Sequence, residues 1–138
     1  MSAPTSAGPR GTTSRARFLR LVLAADAVVT GVNGLAYLVA AGLLSDLLGP
    51  DAGPLRGIGI FLIGYGAAVG LLAGRSQVSE AGTRAVIGLN AVWTLASVAA
   101  VVAGLLTFTT IGAVWAILQA VVVAGFAALQ IAGLRKLR

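Results

Sequence analysis

One acidic residue, Asp26, interrupts an apolar stretch that is long enough to form a membrane-spanning helix. A carboxylate at the centre of such a helix costs about 2.5–3.5 kcal/mol on insertion, and less towards the helix ends. Asp26 is either a proton or cation site or a structural anchor, hydrogen-bonded to a neighbouring helix or paired with a basic residue. The arginines expected at its depth are Arg20, Arg75 and Arg84. Because Asp26 lies near one end of the stretch, the anchor is favoured.

Polar and aromatic side chains recur at helical spacing in three of the apolar stretches. Residues three, four and seven positions apart lie on one face of a helix, so each set forms a stripe. The first stripe contains Asp26, Thr30, Asn33 and Tyr37; the second contains Asn90, Thr94 and Ser97, flanked by Trp93; the third contains Trp115, Gln119, Phe126 and Gln130. Because unsatisfied polar groups are not tolerated against hydrocarbon, we expect the stripes to converge inside a helical bundle.

Convergence of the stripes has two interpretations. One is a polar cavity or substrate path, lined by Asp26, Asn33, Tyr37, Asn90, Trp93 and Gln119. The other is hydrogen bonding between helices, which contributes about 0.6 kcal/mol per contact and sets the register of a small bundle. Asn and Gln commonly join helices in membranes, so the second interpretation is favoured. The candidate intramembrane polar site comprises Asp26, Thr30, Asn33, Tyr37, Asn90, Trp93, Thr94 and Gln119.

A different kind of face is formed by glycines in the second apolar stretch. Gly66, Gly70 and Gly74 follow one another at four-residue spacing, and Gly59 lies on the same face. Glycine allows a second helix to approach backbone to backbone. This face is therefore predicted to pack helices together, either in a homodimer or within the chain.

Residue types exclude several kinds of chemistry. The sequence has no cysteine and no histidine, which removes disulfides, thiol nucleophiles, imidazole bases and the usual zinc ligands. The acidic residues Asp26, Asp46, Asp51 and Glu80 are split between the two expected membrane faces, so they assemble no carboxylate pair or metal cage. We therefore expect no enzymatic activity, no metal and no cofactor.

The apolar stretches define the architecture. The chain has 138 residues, of which 58% are hydrophobic and 10% charged, against about a quarter charged in soluble domains. Four stretches, at about 18–44, 56–74, 84–106 and 110–134, reach the roughly 20 residues that cross a bilayer. Residues 1–17, rich in Pro, Gly, Ser and Thr, are predicted to be a disordered basic tail. The prediction is one all-α domain, 18–138, folded as an up-down bundle of four transmembrane helices.

The connections carry residues that end or start helices. Gly49-Pro50 and Gly53-Pro54 are predicted to end helices in a loop after the first span. Ser79 is predicted to cap the third helix, with Glu80 in its first turn. Clustered hydroxyls at 107–110 are predicted to turn the chain and cap the fourth helix, so the last two spans form a tight hairpin.

Basic residues are distributed unevenly about the spans. One end has Arg10, Arg15, Arg17, Arg20, Arg75, Arg84, Arg135, Lys136 and Arg138, whereas the other has Arg56 alone. Because Lys and Arg are retained on the cytoplasmic side, both termini are predicted to be cytoplasmic, in the cell (inner) membrane. The net charge of +6 is interpreted as membrane orientation, and no nucleic-acid partner is expected.

Three segments resemble the small four-span integral membrane proteins of high-GC actinobacteria: DAVVTGVNGLAYL (26–38), LRGIGIFLIGYG (55–66) and LNAVWTLASV (89–98). The layout is similar to that of the DoxX-like membrane proteins, and the resemblance covers residues 18–138. It implies a membrane fold without a particular activity, so no functional residue is carried over from it.

The chain is also similar in kind to small multidrug resistance transporters, which have four spans, an acid in span one and aromatic residues in span three. Asp26, Tyr37 and Trp93 correspond to these features in type. The chain departs from that family in having Asp in place of Glu, in its greater length and in its steep charge bias. That bias argues against an antiparallel dimer.

These patterns predict a non-enzymatic integral membrane protein with a structural or accessory-subunit role. Its expected partners are the lipid bilayer and either a second copy of the chain or another membrane protein. The alternative hypothesis is a small proton- or cation-coupled transporter that uses Asp26 as its coupling site. The sequence identifies no small-molecule substrate.

Overall fold

Within the described residues, five helices follow one another: α1 (Ala7–Val39), α2 (Ala41–Leu48), α3 (Ala52–Gly74), α4 (Glu80–Ala103) and α5 (Thr110–Lys136). The structure is a computed structural model that describes residues 7–105 and 107–137, without the side chains of residues 7–13 and 15. The segment Ala16–Val39 of α1, together with α3, α4 and α5, is long and apolar enough to cross a membrane. The predicted all-α fold with four transmembrane helices is confirmed for these described residues.

The first helix begins much earlier than predicted. α1 starts at Ala7, so the prediction of a disordered tail is wrong for residues 7–17, and residues 1–6 lie outside the described residues. Once an apolar span has formed a helix, each added residue gains a hydrogen bond without a new nucleation step. Pro9 falls in the first turn, where its missing N–H has no helical partner to lose.

The first span also ends earlier than predicted. α1 stops at Val39, and α2 resumes at Ala41 after a bend at Ala40, which has φ −110° and ψ 27°. The prediction of one continuous span to residue 44 is therefore corrected. An apolar run does not distinguish a straight helix from a bent one, and here the bend lets α2 pack against α3 and α5.

The two Gly-Pro pairs between α2 and α3 behave differently. Gly49 ends α2 with φ +109°, a backbone conformation open mainly to glycine, so Gly49-Pro50 does separate two helices. Gly53 and Pro54 instead lie in the first turn of α3, which begins at Ala52. The prediction that this second pair ends a helix is wrong, because proline in a first turn removes no helical hydrogen bond.

The predicted caps are confirmed at the starts of α4 and α5. The Ser79 hydroxyl accepts a hydrogen bond from Gly82 N at 3.0 Å, and Glu80 lies in the first turn of α4. The Thr109 hydroxyl accepts one from Gly112 N at 2.9 Å. These bonds satisfy backbone donors that a helix start leaves free, and so both turns are encoded locally.

The helices pack as two tight pairs. α1 lies along α3, α4 lies along α5 as the predicted hairpin, and α1 also contacts α5. α3 and α4, although consecutive in the chain, barely touch. The bundle is therefore open along one side, between α3 and α4.

Buried apolar residues and exposed apolar residues lie in different parts of the bundle. Leu19, Leu23, Val69, Ala73 and Val86 form a buried cluster at the basic end, which we call the apolar layer. Large apolar side chains also cover the outside of the spans, among them Leu21, Val32, Leu71, Leu95, Val102 and Val121. Such an outer surface is stable against lipid and unfavourable in water, which agrees with a membrane-spanning chain.

Candidate functional site

A glycine contact between α1 and α3 sets the position of the polar stripe. A Cβ atom added at Gly59 would lie 2.7 Å from the carbonyl oxygen of Gly34, and one added at Gly34 would lie 2.8 Å from that of Gly59. At Gly66 an added Cβ would lie 3.0 Å from Gly31 N. The two backbones therefore touch directly along this seam, which we call the glycine seam.

The predicted helix-packing glycines thus act within the chain, but not all to the same degree. Gly59 and Gly66 are buried against α1, and a Cβ at Gly70 would lie 3.7 Å from Ala27 Cβ, an ordinary contact. A Cβ at Gly74 would meet no atom within 4 Å. At Gly59 and Gly66 this face therefore packs helices within the chain, which is one of the two alternatives that the sequence left open.

The Asp26 carboxylate lies at the centre of the bundle, with 2% of the residue exposed. Its Oδ1 accepts a hydrogen bond from the Thr30 hydroxyl at 3.0 Å, one turn further along α1. Its Oδ2 accepts two, from Asn90 Nδ2 of α4 at 2.9 Å and from Gln130 Nε2 of α5 at 2.7 Å. Both oxygens are therefore satisfied by uncharged donors, and the carboxylate joins three spans.

Asn90 extends this network to the remaining span. Its Nδ2 also donates to Gln130 Oε1 at 3.0 Å, and its Oδ1 accepts from the Tyr65 hydroxyl of α3 at 2.9 Å. Asn90 and Gln130 are 3% and 0% exposed. We call Asp26, Thr30, Tyr65, Asn90 and Gln130 the carboxylate cluster, and all four long helices contribute to it.

Tyr65 is a member of the cluster that sequence reasoning missed. It lies in the second apolar stretch beside Gly66, and only the glycine face of that stretch was considered. A tyrosine inside a span needs a partner for its hydroxyl, and this requirement could have drawn attention to it. Gln130 was assigned to the third stripe but not to the candidate site, although it donates the shortest hydrogen bond to Asp26.

Two further polar contacts join α1 and α5 on the side of the cluster away from the apolar layer. Asn33 Nδ2 donates to Gln119 Oε1 at 2.9 Å, and Trp115 Nε1 donates to the Tyr37 hydroxyl at 2.7 Å. The first and third stripes therefore converge as predicted. They meet in three successive layers of hydrogen bonds, namely Asp26 with Gln130, Asn33 with Gln119, and Tyr37 with Trp115. Thr94 of the second stripe donates to the Asn90 carbonyl within α4 at 2.9 Å.

Trp93 takes no part in these layers. Its ring stacks on that of Phe61 across the gap between α4 and α3, with centroids 6.0 Å apart and planes 9° from parallel. A cavity of about 40 Å³ lies beside Trp93, Thr30, Asn33, Tyr37 and Gln119. A larger one of about 190 Å³, lined by Tyr37, Trp93, Ser97, Trp115 and Gln119, lies towards the end of the bundle that carries Pro50.

The arginines that were candidate partners of Asp26 bind elsewhere. Arg20 Nη2 donates to the carbonyl oxygens of Arg75 and Ser76, at 2.8 Å and 3.2 Å. Arg84 forms an exposed ion pair with Glu80, at 3.5 Å. The hypothesis of an arginine partner is therefore wrong, whereas the alternative, a hydrogen bond to a neighbouring helix, is present twice.

The cluster contains one carboxylate, two amides and two hydroxyls. Among the residues that the structure describes, no three His, Cys, Asp or Glu side chains come together as metal ligands. This arrangement joins four helices through hydrogen bonds around three buried side chains, Asp26, Asn90 and Gln130. Comparison of the chain with protein-family models, curated proteins and solved structures finds no match.

Proposed function

We propose that the chain is a non-enzymatic integral membrane protein with a structural or accessory-subunit role. The observation that carries the proposal is the saturation of the Asp26 carboxylate, 2% exposed, by three neutral donors from α1, α4 and α5. In a bilayer the bonds from Asn90 and Gln130 hold helices in one register, because a slip of one turn would separate both amides from the Asp26 carboxylate.

The surroundings of the cluster support this role. The apolar layer lies between Asp26 and the basic end of the bundle, and Leu19 and Leu23 in it are 0% exposed. The packed Leu19 and Leu23 side chains leave no room for water between Asp26 and that end along α1. A rigid four-span unit of this kind is suited to serve as a partner for another membrane protein.

The proposal includes an orientation in the cell membrane, with both termini cytoplasmic. Its basis is the charge bias, since Arg56 is the one basic residue at the opposite end. Single cysteines at Thr5, Ser79 and Gly53 test it in intact cells, and the absence of native cysteine removes background labelling. A membrane-impermeant maleimide is expected to label the Gly53 variant alone, and labelling at Ser79 would overturn the orientation.

Replacement of Asp26 by Asn tests the structural role. The new side-chain oxygen is able to accept both amide hydrogen bonds in place of Oδ2, while its NH₂ group donates to the Thr30 hydroxyl. We expect Asp26→Asn to match the native chain in expression, thermal stability and growth phenotype. Asp26→Leu, which accepts no hydrogen bond, is expected to lower stability.

The second candidate is a proton- or cation-coupled transporter, and one observation favours it. The hydrogen-bonded layers and the cavities of about 190 and 40 Å³ beside them lead from the Pro50 end towards Thr30, the partner of Asp26. This candidate predicts that Asp26→Asn abolishes acidification-driven flux in proteoliposomes while the protein stays folded. Equal flux in native, Asp26→Asn and protein-free vesicles would reject it.

A further inference from the structure

The gap between α3 and α4 forms a cleft at the basic end of the bundle. The cleft has a volume of about 620 Å³, within the range of about 300–1,000 Å³ that small-molecule sites occupy. Its walls are apolar side chains of both helices, namely Ala68, Val69, Leu71, Leu72, Ala85, Val86 and Leu89, with Tyr65 at its inner end. From Tyr65 to Arg75, α3 rises about 15 Å, so the cleft is long and narrow.

An arginine stands at the other end of this cleft. Arg75 lines it and is exposed. The one ion pair among residues 7–105 and 107–137 joins Arg84 to Glu80, so no described carboxylate neutralises Arg75. Arg20 holds the Arg75 and Ser76 carbonyl groups through its guanidinium, which fixes the turn that carries Arg75. The cleft thus combines an apolar slot with a positioned cation at its entrance.

The cleft is closed halfway through the bundle. Phe61 of α3 and Trp93 of α4 stack across the gap, and Phe61 also stacks on Tyr65 at 5.9 Å. A transmembrane helix, about 10 Å wide and crossing the full bilayer, would collide with this aromatic bridge. A flexible hydrocarbon chain that enters from the basic end and stops within one leaflet fits the space.

We propose that this cleft binds an anionic phospholipid of the leaflet at the basic end of the bundle. An acyl chain lies between α3 and α4, and the phosphate is held by Arg75, whose planar guanidinium matches phosphate oxygens. Anionic lipid is preferred over zwitterionic lipid because basic residues crowd this end of the chain. This site borders the carboxylate cluster at Tyr65, but it uses neither Asp26 nor its hydrogen bonds and does not depend on the proposed function.

Native mass spectrometry of the purified full chain tests the site with two lipids of identical dioleoyl chains. We expect phosphatidylglycerol to be retained about fivefold more tightly than phosphatidylcholine. Arg75→Gln is expected to remove this preference, while Arg56→Gln at the opposite end of the bundle keeps it. Equal retention of the two lipids by the native chain, or equal behaviour of the two arginine variants, would overturn the proposal.

The acyl-chain part of the site has its own pair of variants. Ala85→Trp places an indole in the cleft and is expected to prevent retention of both lipids, whereas Ala128→Trp, on the exposed surface of α5, is expected to have no effect. Ala68→Trp fills the cleft from the α3 wall and replaces Ala85→Trp if that variant misfolds. Tight lipid retention by a folded cleft-filled variant contradicts an acyl chain between α3 and α4.

Inorganic phosphate distinguishes a lipid headgroup from a free anion. We expect phosphatidylglycerol to raise the melting temperature of the native chain and to leave that of Arg75→Gln unchanged. Inorganic phosphate at millimolar concentration is expected to raise neither. If phosphate alone stabilises the native chain as much as the lipid does, the ligand is a free anion and the lipid assignment is wrong.

Discussion

The two faces of α1 join it to its neighbours in different ways. One face carries Gly31 and Gly34 and meets α3 backbone to backbone in the glycine seam. The other carries Asp26, Asn33 and Tyr37, whose side chains bond to α4 and α5. The first contact depends on the absence of side-chain atoms, and the second depends on their presence and chemical type.

This difference determines how each face responds to substitution. At Gly34, Gly59 and Gly66 of the seam, an added carbon meets the backbone of the neighbouring helix, so the helices must move apart to make room for it. On the polar face, a side chain of similar shape that keeps the hydrogen bonds is tolerated, whereas an apolar one leaves its partners unpaired. The seam is therefore sensitive to volume, and the polar face is sensitive to hydrogen-bonding capacity.

The largest expected effect is in the seam. Gly59→Leu places a side chain where even a Cβ would lie 2.7 Å from the Gly34 carbonyl oxygen, and we expect a loss of about 3 kcal/mol in the free energy of unfolding. Gly64→Leu on the same helix is the control, because a Cβ there meets no atom within 4 Å. Unfolding in mixed micelles measures both, and equal losses would show that α1 and α3 are not in close contact.

The next effect is on the polar face, at the carboxylate cluster. Asp26→Leu removes three hydrogen bonds at about 0.6 kcal/mol each, so the free energy of unfolding is expected to fall by about 2 kcal/mol. Asp26→Asn keeps the three bonds and is expected to change it by less than about 0.5 kcal/mol. A large loss in both variants would mean that the charge itself, and not the bonding pattern, stabilises the cluster.

A smaller effect is expected one layer away. Asn33 and Gln119 bond to each other through their side chains at 2.9 Å. A double-mutant cycle with Asn33→Ala and Gln119→Ala is expected to give a coupling free energy of about 0.6 kcal/mol. Additive losses, with no coupling, would mean that this bond is not formed in the membrane.

The smallest effect is expected at the end of the polar face. Tyr37 lies two residues before the end of α1, and its hydroxyl accepts a hydrogen bond from Trp115 Nε1 at 2.7 Å. Tyr37→Phe is expected to cost less than about 0.6 kcal/mol, since interfacial water replaces the lost acceptor. In a Trp93→Phe background, the emission of Trp115 reports the change, and an unaltered spectrum would place Trp115 away from Tyr37.

Spacing along the chain was sufficient to predict much of the candidate site, but not its partners. The stripes through Asp26, Asn90 and Gln119 were predicted to face inward, and they do. Helical spacing relates each side chain to its own helix axis, whereas the pairing of Asn33 with Gln119 depends on the vertical offset between two helices. Charge attraction suggested an arginine as the partner of Asp26. The guanidinium of Arg20 instead donates to the carbonyl groups of Arg75 and Ser76, in the connection between α3 and α4.

Local features of the chain account for four apolar spans, the caps at Ser79 and Thr109, and the concentration of basic residues at one end. These are properties of neighbouring residues, and they hold in whatever way the helices later assemble. The bend at Ala40, the inclusion of Tyr65 in the carboxylate cluster and the cleft between α3 and α4 are of another kind. They arise because four apolar helices have many ways to pack, and small differences in backbone approach and hydrogen bonding, summed over the whole bundle, select one of them.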